Sequence, residues 1–210
     1  MMAKFARYFT QDNQQVYDIG FYDRAFEELA PEFPGLEFVG GWQEDRSEED
    51  QAKHPLPKHV KNLGVLNAAR FEEEFAQSRI MLGMGNPTLS PSPYRALAKA
   101  VAFGHPHKVK EGSTEWPFMQ HDSMAKVPEP YVHQIEAYNY TSFVGAIRKG
   151  LRSPPTRPLR FLRMRRDVAD RRLVAFVNAD WRGEAEAILK ARHAGHETQS
   201  GGTQLKDFVL

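Results

Sequence analysis

The residues best suited to chemistry lie between Gly83 and Arg95. The loop Gly83-Met84-Gly85-Asn86-Pro87-Thr88-Leu89-Ser90-Pro91 follows the apolar run Arg79-Ile80-Met81-Leu82 and precedes Ser92-Pro93-Tyr94-Arg95. A short apolar run of this kind reads as a buried parallel strand. Ser92 suits an N-cap and Pro93 the first helical position. The glycines allow backbone to approach a ligand closely, and a helix N-terminus presents unpaired N–H groups with a positive dipole end. A diphosphate fits that chemistry, with Thr88, Ser90 and Ser92 as hydroxyl donors. Pro87, Pro91 and Pro93 stiffen the loop. Neither the dinucleotide fingerprint nor a P-loop is present, since no Gly-Lys-Ser/Thr follows. An ordinary strand-to-helix turn accounts for the same pattern. A second loop, Asn62-Leu63-Gly64-Val65-Leu66, ends an earlier strand and is a candidate neighbour of the first.

Other reactive types are scattered. His121-Asp122 pairs a base with a carboxylate, but adjacent residues seldom orient one another for proton transfer. His54, His59, His105 and His107 lack metal-ligand spacing and read as surface or loop histidines. The chain has no cysteine, which removes disulfides, thiolate zinc sites and cysteine nucleophiles. Asn139-Tyr140-Thr141 is a formal glycosylation sequon. The basic run Arg157–Arg172 reads as a solvated helix face, because no stacking aromatics interleave it. Trp116 and Trp181 read as packing residues.

These groups need elements to position them. A helix is expected over Tyr17–Leu29 and a strand over Leu36–Val39, closed by Gly40-Gly41. Residues 43–58 are acidic, then Pro-rich, and read as a surface loop. Val60–Leu66 is strand-like, and Phe71 and Phe75 place a helical face in Arg70–Gln77. After the Ser92 helix, Ala102-Phe103 opens a strand that Pro106 stops. Lys108–Pro130 is polar and proline-punctuated; Tyr131–Ile135 reads as a last strand and Phe143–Leu151 as a helix. One long helix within 155–181 is expected to turn Val168, Leu173, Val174 and Val177 inward. A helical extension and flexible tail cover 182–210. Strands alternating with helices indicate α/β layers, a parallel sheet with flanking helices.

Bulk properties narrow the partners. With 28 basic and 27 acidic residues the formal charge is +1, so no global field attracts nucleic acid. An anionic ligand must be held by a local site. No run of about 18 apolar residues marks a membrane segment, and the N-terminus has no signal-peptide core.

Several motifs occur together in order: VKNLGVL at 60–66, FEEEFAQS at 71–78 and RIMLGMGNPTLSPSPYRALAKAVAF at 79–103. His105-Pro106, Gln120-His121-Asp122, Pro130-Tyr131-Val132, the helix near Phe143–Leu151 and VAFVNADW at 174–181 follow. This order resembles glycosyltransferase family 18, the N-glycan-branching β-1,6-N-acetylglucosaminyltransferases. The likeness runs from about Tyr8 to Trp181.

The resemblance implies the C-terminal half of a GT-B architecture, in which two Rossmann-like domains enclose the active site. Residues 1–181 would form the nucleotide-sugar-binding domain, lacking its first strand. The family moves N-acetylglucosamine from UDP-N-acetylglucosamine to the α1,6-linked mannose arm of an N-glycan in the Golgi, with inversion and no required metal or other cofactor. Its catalytic carboxylate lies in the other domain, so no catalytic residue is assigned here and the isolated chain is expected to be inactive. Donor-binding positions carried over are Gly83, Gly85, Asn86, Pro87, Ser90, Ser92, Tyr94 and Arg95 at the diphosphate, with Asn62, Gly64 and Leu66 near the base and ribose. Three positions depart from the family pattern. Arg95 replaces a usual Glu, and guanidinium only donates where carboxylate accepts sugar hydroxyls. Leu63 stands where His is common, and Ala100 where Gly is usual. The alternative expectation is a degenerate paralogue that at most binds the UDP-sugar.

Overall fold

The structure is a computed structural model that describes residues 6–9, 16–85, 88–110, 112 and 118–193. Trp116 and the expected tail beyond residue 193 lie outside these. The chain divides into two compact units, Met1–Arg160 and Phe161–Leu210.

The first unit alternates helices with short strands: α1 (Gly20–Leu29), β1 (Phe38–Gly40), α2 (Glu48–Lys53), β2 (Val60–Asn62), α3 (Ala68–Gln77), β3 (Ile80–Leu82), α4 (Ser92–Ala98), β4 (Ala102–Lys108), β5 (Phe118–Met119), β6 (Val132–Glu136) and α5 (Tyr140–Arg152). The class is mixed α/β. β1 pairs with β2 in parallel, and β4 pairs in parallel with β3 on one edge and β6 on the other. β5 adds a short antiparallel contact at the end of β4. The cleft of about 590 Å³ beside Phe38 and Val39 of β1 is also lined by Ile80 and Leu82 of β3. The described strands thus form two sheets, β1 with β2, and β3 and β6 on either side of β4 with β5 at its end.

β4 is buried through six of its seven residues, as a strand covered on both faces must be. It runs through Pro106, where the sequence suggests a stop. The hydrogen-bond alternation explains why. Phe103 N–H donates to Tyr131 O at 2.8 Å on the β6 side, and Gly104 O accepts from Gly83 N at 2.9 Å on the β3 side. Position 106 then turns its backbone toward β3, which ends at Leu82, so the missing N–H of proline forfeits no ladder bond.

Caps set the helix starts. Asn67 Oδ1 accepts from Arg70 N at 2.9 Å, and Asn139 Oδ1 accepts from Ser142 N at 3.0 Å. The expected loop over 43–58 contains α2, which has no buried residue and so no apolar period to betray it. Ser47 Oγ accepts from Asp50 N at 3.1 Å, and Glu48, Glu49 and Asp50 in the first turn suit the dipole. The core gathers where α1 meets α5. Phe143 lies 4.7 Å from Tyr17 and 5.4 Å from Tyr22, ring centre to ring centre.

The second unit holds α6 (Arg166–Val177) and α7 (Trp181–His193) after a 3-10 turn at Leu162–Met164. The long helix expected within 155–181 is α6, which stops at Val177, and the helical extension expected from 182 is α7, which starts at Trp181. Asp180 causes the break: its Oδ1 accepts from Gly183 N at 2.9 Å and its carbonyl from Glu184 N at 3.0 Å, which caps a new helix. Leu173, Val174 and Val177 share a stripe as their spacing requires, but they are exposed rather than inward. Trp181 packs on Phe176 at 4.7 Å and remains partly exposed. The arginines of the basic run pair locally, Arg165 and Arg171 with Asp167 and Arg166 with Asp170.

α4 ends in a Schellman motif. Val101 N donates to Ala96 O at 2.9 Å and Ala100 N to Leu97 O at 3.2 Å, with Ala100 left-handed at φ 58°. Left-handed backbone costs a non-glycine residue about 1–2 kcal/mol. Ala100→Gly is therefore expected to stabilise the chain by about 1 kcal/mol after its larger unfolded-state entropy is subtracted. A urea midpoint that rises at unchanged slope is the measurement.

Candidate functional site

The loop after β3 is held from below by the segment 118–124. Gly83 is buried, and a side chain there would collide with Gln120 Oε1, with Pro106 Cδ at 2.8 Å and with Phe103 Cζ at 2.9 Å. Packing against the protein interior accounts for this glycine without any ligand approach. Gly85 is left-handed at φ 87°, a conformation glycine adopts without strain. Asn86 and Pro87 lie outside the described residues. Leu89 N donates to Gln120 O at 3.2 Å, which ties the far arm of the loop to the same segment.

The helix entry differs from the sequence expectation. Pro91 is the N-cap of α4 and makes no side-chain cap bond, while Ser92 is already the first helical residue. Ser90 does the capping instead: its Oγ accepts from Ser92 N at 3.2 Å. Pro93 contributes no N–H, so the start of this seven-residue helix presents fewer free donors than its sequence suggests.

Beneath the loop runs a directional polar chain. His121 Nε2 meets Ser90 O at 3.1 Å, and a carbonyl only accepts, so the ring proton sits on Nε2. His121 Nδ1 then accepts from Ser123 Oγ at 2.9 Å, and Ser123 Oγ accepts from the Tyr94 hydroxyl at 2.7 Å. The Tyr94 and His121 rings meet edge to face at 5.1 Å. One layer deeper, His105 Nε2 accepts from His121 N at 3.0 Å, which puts its proton on Nδ1, bonded to Gln134 Oε1 at 2.8 Å. Gln134 Nε2 donates onward to Met124 O at 3.3 Å and Ala125 O at 3.4 Å. His105 and His107 are thus buried strand residues, not surface or loop ones. His121 pairs with Ser123 and Ser90 rather than with Asp122. Its place in the structure is to hold the loop.

The remaining candidates lie elsewhere. Arg95 is half-exposed on α4 with Nη1 at 3.3 Å from Glu72 Oε1 of α3, a carboxylate it shares with Lys99 Nζ at 2.8 Å. Its guanidinium also sits 5.9 Å from the Phe71 ring centre. Asn62 Oδ1 accepts from Trp42 N at 3.1 Å and Gly64 N at 2.9 Å, so this amide shapes the turn joining the ends of β1 and β2. Gly64 is left-handed at φ 73°, and the Leu66 side chain would lie 3.3 Å from a Cβ at Gly41. Asn62, Gly64 and Leu66 therefore form one cluster with Gly41 and Trp42; Ser90, Ser92 and Tyr94 form another with His121 and Ser123. Asn139 of the sequon spends its amide on Glu136 Oε2 at 2.9 Å and its carbonyl on the α5 cap. Among the described residues no group of three or more His, Asp or Glu is placed to hold a metal, and no helix is long and apolar enough to cross a membrane.

No family model matches the chain, and no curated protein compared with it matches either.

Two outcomes test this geometry. Gly83→Ala forces a methyl between Gln120, Pro106 and Phe103, and overpacking of that kind costs about 1–3 kcal/mol. The expected result is a lower melting temperature than Gly85→Ala produces. Burial pushes the His105 imidazole down to about 4, the Gln134 bond opposing the shift. In the unfolded chain it titrates near its ordinary value of 6.5. Its contribution is complete above that value and is lost as pH falls through the window down to about 4, about 3 kcal/mol at most. Burial also shifts His107 and His133 downward, in the same direction. Urea midpoints between pH 7 and pH 4 are expected to fall, and less steeply in His105→Gln.

Proposed function

We propose that the chain is the donor-nucleotide half of a two-domain glycosyltransferase of GT-B type. On this reading it resembles family 18 and takes UDP-N-acetylglucosamine at the loop between β3 and α4. One observation carries the reading. β3, β4 and β6 run parallel, so the loop leaving β3 lies at the carboxyl end of that sheet. In open α/β sheets ligands bind beyond the carboxyl ends of the strands. The Gly83–Pro91 loop leaves β3 there, with the Tyr94–Ser123–His121 chain fixing its far arm.

Ala100 adds support. Its left-handed backbone is what a glycine, the residue usual at this position in the family, adopts without strain. The acceptor on this reading is the α1,6-linked mannose of an N-glycan in the Golgi, bound between this domain and the other domain of the GT-B pair. Inversion needs a base that takes the acceptor proton, and on this reading that role belongs to the other domain of the GT-B pair. No metal is called for.

Arg95 favours a second reading, a degenerate relative that binds donor without turnover. It is tied to Glu72 on α3, and it cannot accept a sugar hydroxyl proton.

Calorimetry with UDP and UDP-N-acetylglucosamine separates these. Saturable binding of both at millimolar or lower concentration, weakened at least tenfold by Gly85→Val in a variant of unchanged far-UV spectrum, is the expected outcome. No transfer of sugar to an N-glycan acceptor is expected from the chain alone. Absence of heat with either ligand would remove the donor reading, and transfer by the isolated chain would remove the degenerate one.

A further inference from the structure

We propose that the corner where α6 meets α7 docks on an anionic lipid bilayer, with Leu173 to Val177 entering it and the arginines ahead of them at its headgroups. The observation behind this is exposure. Leu173, Val174, Phe176 and Val177 are each 60% exposed or more, and neither α6 nor α7 has a buried residue. α2 buries nothing either, but it has no large apolar side chain to hide. Single exposed apolar residues are ordinary, whereas neighbouring ones mark a contact surface. Helices of 12 and 13 residues are also marginal in water without a tertiary partner.

The arrangement along the axis selects the partner. Residues 162–172 carry five arginines against Asp167 and Asp170, a net charge of +3. Those aspartates pair with Arg165, Arg166 and Arg171, and among the described residues Arg172 has no carboxylate partner. From Leu173 to Val177 there is no charge. That stretch exceeds one helical turn, so this end of α6 is apolar on every side. A helix apolar all round belongs in a core or a membrane. Charge and apolar surface are thus separated along α6 rather than around it.

A second copy fits that separation poorly. Antiparallel copies of α6 would lay the arginines of each on the apolar end of the other, and parallel copies would set like charges side by side. A bilayer takes both halves. Arg166 lies about 10 Å before Leu173 along the axis, at about 1.5 Å per residue. An apolar helix face sinks about 5–10 Å into the boundary of headgroups and acyl chains. With the apolar end at that depth the arginines stand among the headgroups, where anionic lipid attracts them.

Polar atoms at the corner have partners within the chain. Trp181, 4.7 Å from Phe176 ring centre to ring centre, donates Nε1 to Phe176 O at 2.7 Å. Tryptophan is favoured at the membrane interface. Asn178 Nδ2 donates to Val174 O at 2.7 Å. Asp180 is the one carboxylate between Arg172 and Arg182 and opposes an anionic surface, while its Oδ1 is held by Gly183 N. This docking does not cross the bilayer, and it is independent of any donor at the loop after β3.

Sedimentation of the full chain with vesicles tests it. Binding to equimolar phosphatidylserine and phosphatidylcholine is expected to be at least about tenfold tighter than to phosphatidylcholine alone, and to weaken in raised salt. Phe176→Ser with Val177→Ser is expected to lose at least about tenfold, as is Arg171→Gln with Arg172→Gln. All four positions are exposed, so the far-UV spectrum stays unchanged. Asp180→Asn, which keeps a capping oxygen, is expected to bind more tightly. Because the chain has no cysteine, Val177→Cys accepts a single environment-sensitive dye, whose emission is expected to shift to the blue with the anionic vesicles only. Equal affinity for the two vesicles, no binding to either, or an unshifted dye would overturn the proposal. So would a dimer of the free chain that Phe176→Ser with Val177→Ser dissolves, since a second copy would then cover this end.

Discussion

Backbone pairing along β4 is the constraint on which the first unit depends. Its seven residues take β3 on one edge, β6 on the other and β5 at the end, and almost all of them are buried. Every polar group of such a strand needs a partner inside the protein, because water cannot reach it. Gly104 shows how closely that demand sets composition. A Cβ there would stand 2.8 Å from Ile135 Cδ1 and 3.0 Å from Leu82 Cδ2, so the central strand has no room for a side chain where its neighbours close over it.

The same strand carries the polar chain under the loop. Burying an imidazole is costly unless both nitrogens are used, and His105 uses both: one accepts from the His121 backbone and the other donates to Gln134. His121 repeats the arrangement with Ser90 and Ser123. Two buried histidines thereby link β4, β6, the 118–124 segment and the loop leaving β3 into one hydrogen-bonded body. Each bond contributes about 1 kcal/mol net, and more is lost when one partner is removed and the other left unpaired. The loop's shape is thus set by groups that need never touch a ligand.

Charge is arranged differently. Glu72 gathers Arg95 and Lys99 across α3 and α4, and Glu32 gathers Arg148 and Arg152 between α5 and the turn after α1. These pairs are largely solvent-exposed and individually weak. They matter for what they occupy: Arg95, the first cation after the loop, is engaged with a neighbouring helix.

Much was legible in the residues themselves. The alternation of helix and strand followed from apolar spacing. α1, α3 and α5 appear near their expected positions because each has an amphipathic face to bury, Phe75 on α3 and Phe143 and Ile147 on α5 among them. Local rules failed where the decisive contact lay far away in sequence. α2 has no apolar face, and the continuation of β4 through Pro106 depends on where β3 ends. The roles of Gly83 and His121 depend on Gln120, Ser123 and Ser90. Periodicity reports which residues want burial, so the sequence determined the class, the elements and the loop worth attention. Partners separated by tens of residues are chosen by how strands pair and helices pack. Tertiary structure alone therefore decided that Arg95 faces Glu72, that Asn62 shapes a turn, and that the Gly83 loop rests on two buried histidines.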